Sequence, residues 1–247
     1  MAVSCCANLQ TDVYNALEKV SWIEPGLTVD GSMEVRYCRG SGFMPTISES
    51  LYIPTVRAIA PDGRLLRLKA DDAEPVRFRP VRGKPVTGLY RFYSESSGCC
   101  CLDDEGRCMN GSFREHPEAV SATRCFQYAE ALFPFGRAAE PMPVPYSYPL
   151  RLAADHLCGY RRGNRLRLYL FFGYEPLPLF DVTIFHRSTA GAVSAETLIT
   201  DGDGCLDYRF PAAGDYLFVV RHTTIESAPG RYFDTNYSFT LRLSVLP

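Results

Sequence analysis

Apolar and polar positions alternate with a period of two along most of this chain, in short runs broken by turn residues. Met33, Val35 and Tyr37 alternate with Glu34, Arg36 and Cys38. Residues 55–59 and 65–69 read as two strands around the turn signal Pro61-Asp62-Gly63-Arg64. Residues 76–78 and 88–93 continue the series, with Leu89, Phe92 and the tyrosines as its apolar side chains. The second half repeats the pattern more clearly. Runs at 166–172, 182–186, 195–200, 206–210, 216–222 and 234–245 are separated by Arg162-Gly163-Asn164, Asp201-Gly202-Asp203-Gly204 and Ala213-Gly214-Asp215. Strands spaced by roughly ten residues with turns between them predict β-sandwiches.

Four stretches depart from this pattern. Val13, Leu17 and Val20 recur at helical spacing behind Thr11, which predicts a short helix over 11–20, stopped by the Trp22–Gly26 segment. Residues 94–117 are rich in Ser, Gly, Asp, Cys and Asn and read as a long loop. Residues 118–133 fit both periods, and strand is preferred. Pro134, Pro141, Pro143, Pro145 and Pro149 predict an extended linker. The expected organisation is an N-terminal segment (1–21), a first sandwich (22–133) with a Cys-rich loop at 94–117, a proline-rich linker (134–149) and a second sandwich (150–247). The expected fold class is all-β, with two Ig-like or prealbumin-like β-sandwich domains.

Composition narrows the function classes. A length of 247 residues suits two domains of about 100–130 residues. The 26 basic and 28 acidic residues leave a net charge of −2, so no basic excess points to nucleic acid or an anionic membrane. No run approaches the roughly 20 apolar residues of a membrane span. The opening MAVSCCANLQ lacks the early charge and apolar core of a signal peptide, so the sequence as written points to the cytoplasm.

The ten cysteines are unusually arranged. Cys5 and Cys6 are adjacent, Cys99, Cys100 and Cys101 are consecutive, and Cys108 follows closely. No Cys-x-x-Cys pair marks a zinc ribbon. The 99–108 cluster has three open readings: small apolar residues with an exposed thiol-rich loop, a disulfide within the loop, or a soft-metal site on Cys99, Cys100, Cys101 and Cys108. Among the four histidines, His116, His156, His186 and His222, none belongs to a His-Glu-x-x-His helix. His222 ends the 216–222 strand, with Glu226 and Asp234 across the following connection. One imidazole and two carboxylates suit nickel, cobalt or zinc, and a solvated hairpin end is the alternative. No nucleophile elbow or phosphate-binding glycine loop occurs, and Asp201–Gly204 has Leu206 and Ala212 where a calcium loop needs Gly and Glu. Arg161, Arg162, Arg165 and Arg167 straddle a turn, as a solvated face or an anion patch. The chain is therefore expected to be no enzyme.

The segments GNRLRLYLFFGYEPLPLFDVTIF and TDGDGCLDYRFPAAGDYLFVVRH resemble prealbumin-like and carboxypeptidase-regulatory-like sandwiches. With the ending FDTNYSFTLRLSV, and with SWIEPG and FQYAEALFPFGR in the first half, the chain resembles the bacterial domain-of-unknown-function family 4198 over most of residues 22–246. The resemblance implies a periplasmic, non-enzymatic accessory protein of nickel or cobalt uptake, with membrane components of a metal transporter as partners. An adhesive or polypeptide-binding sandwich without a metal role is the alternative. Two departures stand out. Val20-Ser21-Trp22 lacks the His that such members carry near the mature N-terminus, and Gly40-Ser41-Gly42-Phe43 stands where many have Gly-His-x-Phe.

Overall fold

The structure, a computed structural model, describes residues 19–45, 54–71, 76–80, 85–136, 148–154 and 159–247. The first half supplies β1 (Val20–Leu27), β2 (Met33–Ser41), β3 (Met44–Pro45), β4 (Thr55–Ile59), β5 (Leu65–Leu66), β6 (Leu68–Ala70), β7 (Arg77–Pro80), β8 (Gly88–Leu102), β9 (Cys108–Asn110) and β10 (Ser121–Phe135). The second half supplies β11 (Leu150–Ala154), β12 (Arg165–Phe172), β13 (Glu175–Pro176), β14 (Asp181–Ser188), β15 (Val193–Ile199), β16 (Cys205–Arg209), β17 (Gly214–Thr224) and β18 (Asp234–Val245). The fold is all-β, as the alternation predicts. Among the described residues no helix is long and apolar enough to cross a membrane.

The strands form three layers. A central sheet runs in the order β15-β14-β17-β18-β10-β8-β4-β5. A sheet of β1, β2, β7 and β6 covers part of one face, and a sheet of β11, β12, β13 and β16 covers part of the other. The central strands show why both faces are covered. In β17, Tyr216, Leu217, Phe218, Val219 and Val220 are buried without a break. Successive side chains on a strand point to opposite faces, so such a run needs a partner layer on each side. Tyr216, Phe218 and Val220 pack with Leu166, Leu168 and Leu170 of β12. Leu217 and Val219 pack with Val20 and Trp22 of β1. β8 divides in the same way, with Leu89 and Tyr93 in one core and Tyr90 and Phe92 in the other.

The halves meet inside the central sheet. β10 lies parallel to β18, from Thr123↔Asp234 to Ala131↔Arg242. The expectation of two sandwiches joined by a linker therefore needs amending: they share one sheet. Pro134 and Phe135 belong to β10, and residues 137–147 of the expected linker lie outside the described residues. So do residues 11–18 of the expected helix, and Val20, its last position, is the first residue of β1.

The expected loop at 94–117 is also corrected, because β8 runs on to Leu102 and turns into β9. Its inward positions there are Ser94, Ser96 and Cys101, all buried. They are small side chains in a closely covered strand, so hydropathy gives no period.

A chain of charges stitches β1 to the central sheet. Arg36 Nη2 and Arg187 Nη1 each stand 2.8 Å from a different oxygen of Glu24. Arg187 Nη2 is 2.9 Å and Arg242 Nη2 2.8 Å from the Asp215 carboxylate. Ser244 Oγ donates to the same carboxylate at 2.7 Å. Trp22 Nε1 donates to Glu24 at 3.1 Å, and the Arg187 guanidinium sits 4.3 Å from the Phe43 ring centre. Burial pushes the Asp215 carboxyl upward, but Arg242, Arg187 and Ser244 outweigh it and hold it below the usual carboxylate range.

Asp215→Asn is expected to destabilise the fold by about 3 kcal/mol at neutral pH, since it leaves Arg187 and Arg242 without their shared counter-charge. Because the folded value is depressed, this stability is complete above the unfolded carboxylate value of about 4 and is lost as pH falls through the folded one. Urea unfolding of both proteins at pH 7 and in acid should show the gap closing; a gap that stays constant with pH contradicts the assignment.

Candidate functional site

Both candidate clusters from the sequence fall at the same end of the central sheet. β17 ends there at Thr224 and β18 begins there at Asp234. The parallel pairing of β10 with β18 places Ser121 at the same end, and the antiparallel β8 brings Leu102 beside it.

His222 sits opposite Tyr237 across the β17–β18 pair. Its ring meets Phe172 and Phe180 at centroid distances of 4.6 and 5.5 Å, both close to edge-on. Burial lowers the imidazole pKa, which keeps the ring neutral at neutral pH. Tyr237 OH donates to Glu226 Oε2 at 3.2 Å, and Thr235 Oγ1 donates to the Glu226 carbonyl at 3.1 Å. Burial raises the Tyr237 pKa, and the Glu226 charge adds to the effect, so the phenol keeps its proton. His222 and Glu226 therefore approach the same tyrosine.

Asp234 does not join them. Strand alternation sends it to the face opposite Tyr237, and its Oδ1 is buried with no hydrogen-bond partner among the described residues. Among the described residues no three His, Cys, Asp or Glu side chains are grouped so as to hold a metal ion. The trio His222, Glu226 and Asp234 is thus not assembled as a metal centre.

The cysteine cluster is a hairpin. Leu102 pairs with Cys108 across a turn held by Asp103. That carboxylate accepts from the amides of Glu105 at 3.0 Å and Arg107 at 2.8 Å. Alternation places Cys99 and Cys101 on one face and Cys100 on the other. Cys100 is disulfide-bonded, whereas Cys99 and Cys101 are free thiols. The Cys101 thiol donates to the Gly111 carbonyl at 3.1 Å. Burial raises both free thiols, so they stay protonated and are poor ligands for a soft metal. A site on Cys99, Cys100, Cys101 and Cys108 together is not formed, because Cys100 is oxidised and faces away from Cys99 and Cys101. Cys5, Cys6 and Cys158 lie outside the described residues.

A second feature had no signal in the sequence. Among the described residues, β15 is the outermost strand of the central sheet, bonded to β14 alone. Nearly all of it is exposed. Its sequence, VSAETLI, has one charge, Glu196, and that carboxylate is engaged by Tyr208 OH at 2.8 Å. It lacks the lysines, prolines and bulges that protect free edges.

Comparison with known proteins gives a family match. The family model described as "Domain of unknown function (DUF4198)" matches residues 20–224. No curated protein matches the chain. Among solved structures, the tetra-tandem repeat in the extending region of a large adhesion protein is similar at 12% identity and a TM-score of 0.25. That match covers 92% of this chain and 49% of the other, so the chain spans about half of that structure.

The His222 resonance is expected to titrate below the ordinary histidine midpoint of about 6.5. The unfolded chain then takes up the proton first, so stability should fall as pH drops from about 6.5 to the folded value and level off below it. NMR titration beside unfolding of His222→Gln, which should flatten that decline, checks both. Separately, thiol titration of the denatured, unreduced protein should find at most eight free thiols, the ten in the sequence less two in a disulfide.

Proposed function

We propose, starting from the fact that this chain belongs to the domain-of-unknown-function family DUF4198, that it is a non-enzymatic binding protein which takes a polypeptide strand on the free edge of its central sheet. The observation that carries this reading is β15. It is seven residues long, almost wholly exposed and, among the described residues, open on one side. Such an edge offers a row of backbone donors and acceptors to an incoming strand, and alternate side chains supply selectivity. The Cys100 disulfide supports an oxidising compartment, which agrees with a periplasmic location.

A second reading is an accessory role in bacterial nickel or cobalt uptake, with membrane components of the transporter as the polypeptide partners. It is favoured by the neutral imidazole of His222 close to the Glu226–Tyr237 pair. Two donors alone hold such a metal weakly. Calorimetry with Ni²⁺ or Co²⁺ should therefore give micromolar binding at best, weakened by His222→Ala. Its loss should come at the depressed His222 midpoint, because protons compete for the ring.

The polypeptide reading is tested by a photocrosslinking amino acid at Thr197, with the exposed Val29 of the other layer as control. Products specific to Thr197, and lost when Ala195→Lys blocks the edge, support it. Equal labelling at both positions, or products that survive Ala195→Lys, reject it.

A further inference from the structure

The β8–β9 hairpin, the start of β10 and the turn ahead of β18 enclose an open groove of about 670 Å³. Three arginines enter it from segments far apart in the chain: Arg114 follows β9, Arg124 lies on β10, and Arg231 precedes β18. Arg124 is held in place by its neighbours. Its guanidinium is 4.5 Å from the Phe126 ring centre and 5.8 Å from that of Tyr232, and Nη1 donates to Tyr232 OH at 3.3 Å.

Ion pairs occupy Arg36, Arg79, Arg107, Arg187 and Arg242. None is formed by Arg114, Arg124 or Arg231 among the described residues. One carboxylate, Glu115, shares the groove wall. It accepts from the Ser112 amide at 2.8 Å and the Ser112 hydroxyl at 3.0 Å. These bonds hold its pKa below the usual range, so it is charged and offsets one of the three positive charges.

The groove is built before any ligand arrives. The Phe113 amide donates to the Arg231 carbonyl at 3.1 Å and the Gly111 amide to the Cys99 carbonyl at 3.0 Å. The Phe113 and Phe233 rings meet edge to face at 4.7 Å. Guanidinium groups gathered without a matching counter-charge repel one another. A planar or tetrahedral oxyanion relieves that repulsion and accepts paired N–H bonds.

We infer that this groove binds a ligand bearing clustered oxyanions, carboxylate or phosphate, carried on a free small molecule or on an acidic segment of a partner. The site is independent of the β15 edge and of His222.

Cys99, half-exposed in the groove wall, reports occupancy. Cys205, a half-exposed cysteine on β16 and outside the groove lining, serves as internal control. Alkylation of the intact protein at low salt is followed by mass spectrometry of both cysteines. Citrate, inorganic phosphate and a hexaglutamate peptide are added in turn at about 10 mM. At least one is expected to slow Cys99 labelling about threefold or more without affecting Cys205, and added salt should reverse this. Arg114→Gln with Arg231→Gln, both exposed positions, should abolish the protection while the Cys205 rate shows an intact fold. Protection by citrate or phosphate places the oxyanion on a small molecule; protection by the peptide alone places it on a partner. Failure of all three probes, or protection that persists in the double variant, overturns the inference.

Discussion

The apolar side chains leaving β17 in both directions set the terms for the rest of the molecule. A strand reading Tyr-Leu-Phe-Val-Val cannot present either face to water. Burial of each of these side chains contributes about 1.5–3 kcal/mol, so the sheet is driven to recruit cover on both sides. Layer one comes from the first half of the chain, through Val20 and Trp22. Layer three comes from the second half, through the leucines of β12. Each half supplies strands to the middle and an outer sheet to one face. β10 beside β18 is where these contributions meet.

The cover over the first-half face is partly polar, and the charge chain from Arg36 to Arg242 answers that. β18 alternates Tyr237, Phe239, Leu241 and Leu243 on one side with Ser238, Thr240 and Arg242 on the other. The apolar row enters the second-half core, while Thr240 Oγ1 donates to the Ser21 carbonyl at 2.8 Å and Arg242 meets Asp215. Apolar contact favours many relative placements of two sheets at similar energy. A run of charge-assisted bonds in fixed geometry is satisfied by far fewer, so the chain selects one placement of β1 over the central sheet.

Legibility in the sequence followed the side chains that carry burial. Strands whose inward positions are large and apolar stand out, 166–172 by alternation and 216–222 by its unbroken apolar run, each next to a turn signal. The far part of β8 does not, because Ser94, Ser96 and Cys101 fill positions where small residues suit a strand under cover. The buried pairing of Arg242 with Asp215 left no mark on the strand pattern of 234–245. The candidate sites were legible in part. The chemistry of His222 and Glu226 was readable, but the face each residue takes depends on register, and that separated Asp234. Nothing in the spacing links Arg124 to Arg231, since only the parallel β10–β18 pairing brings them together.

That pairing has a consequence for the order of events during synthesis. β10 is made well before β18, and until the C-terminal strand emerges one side of β10 has no neighbour. The first half can thus form β8 against β10 early, yet it holds an open ladder through the making of the 136–233 segment. Contacts of such long sequence separation slow folding, and an unpaired strand in the waiting state is a point of mispairing between chains. A ribosome-bound chain of this protein is therefore at its most vulnerable just before β18 emerges to close that side of β10.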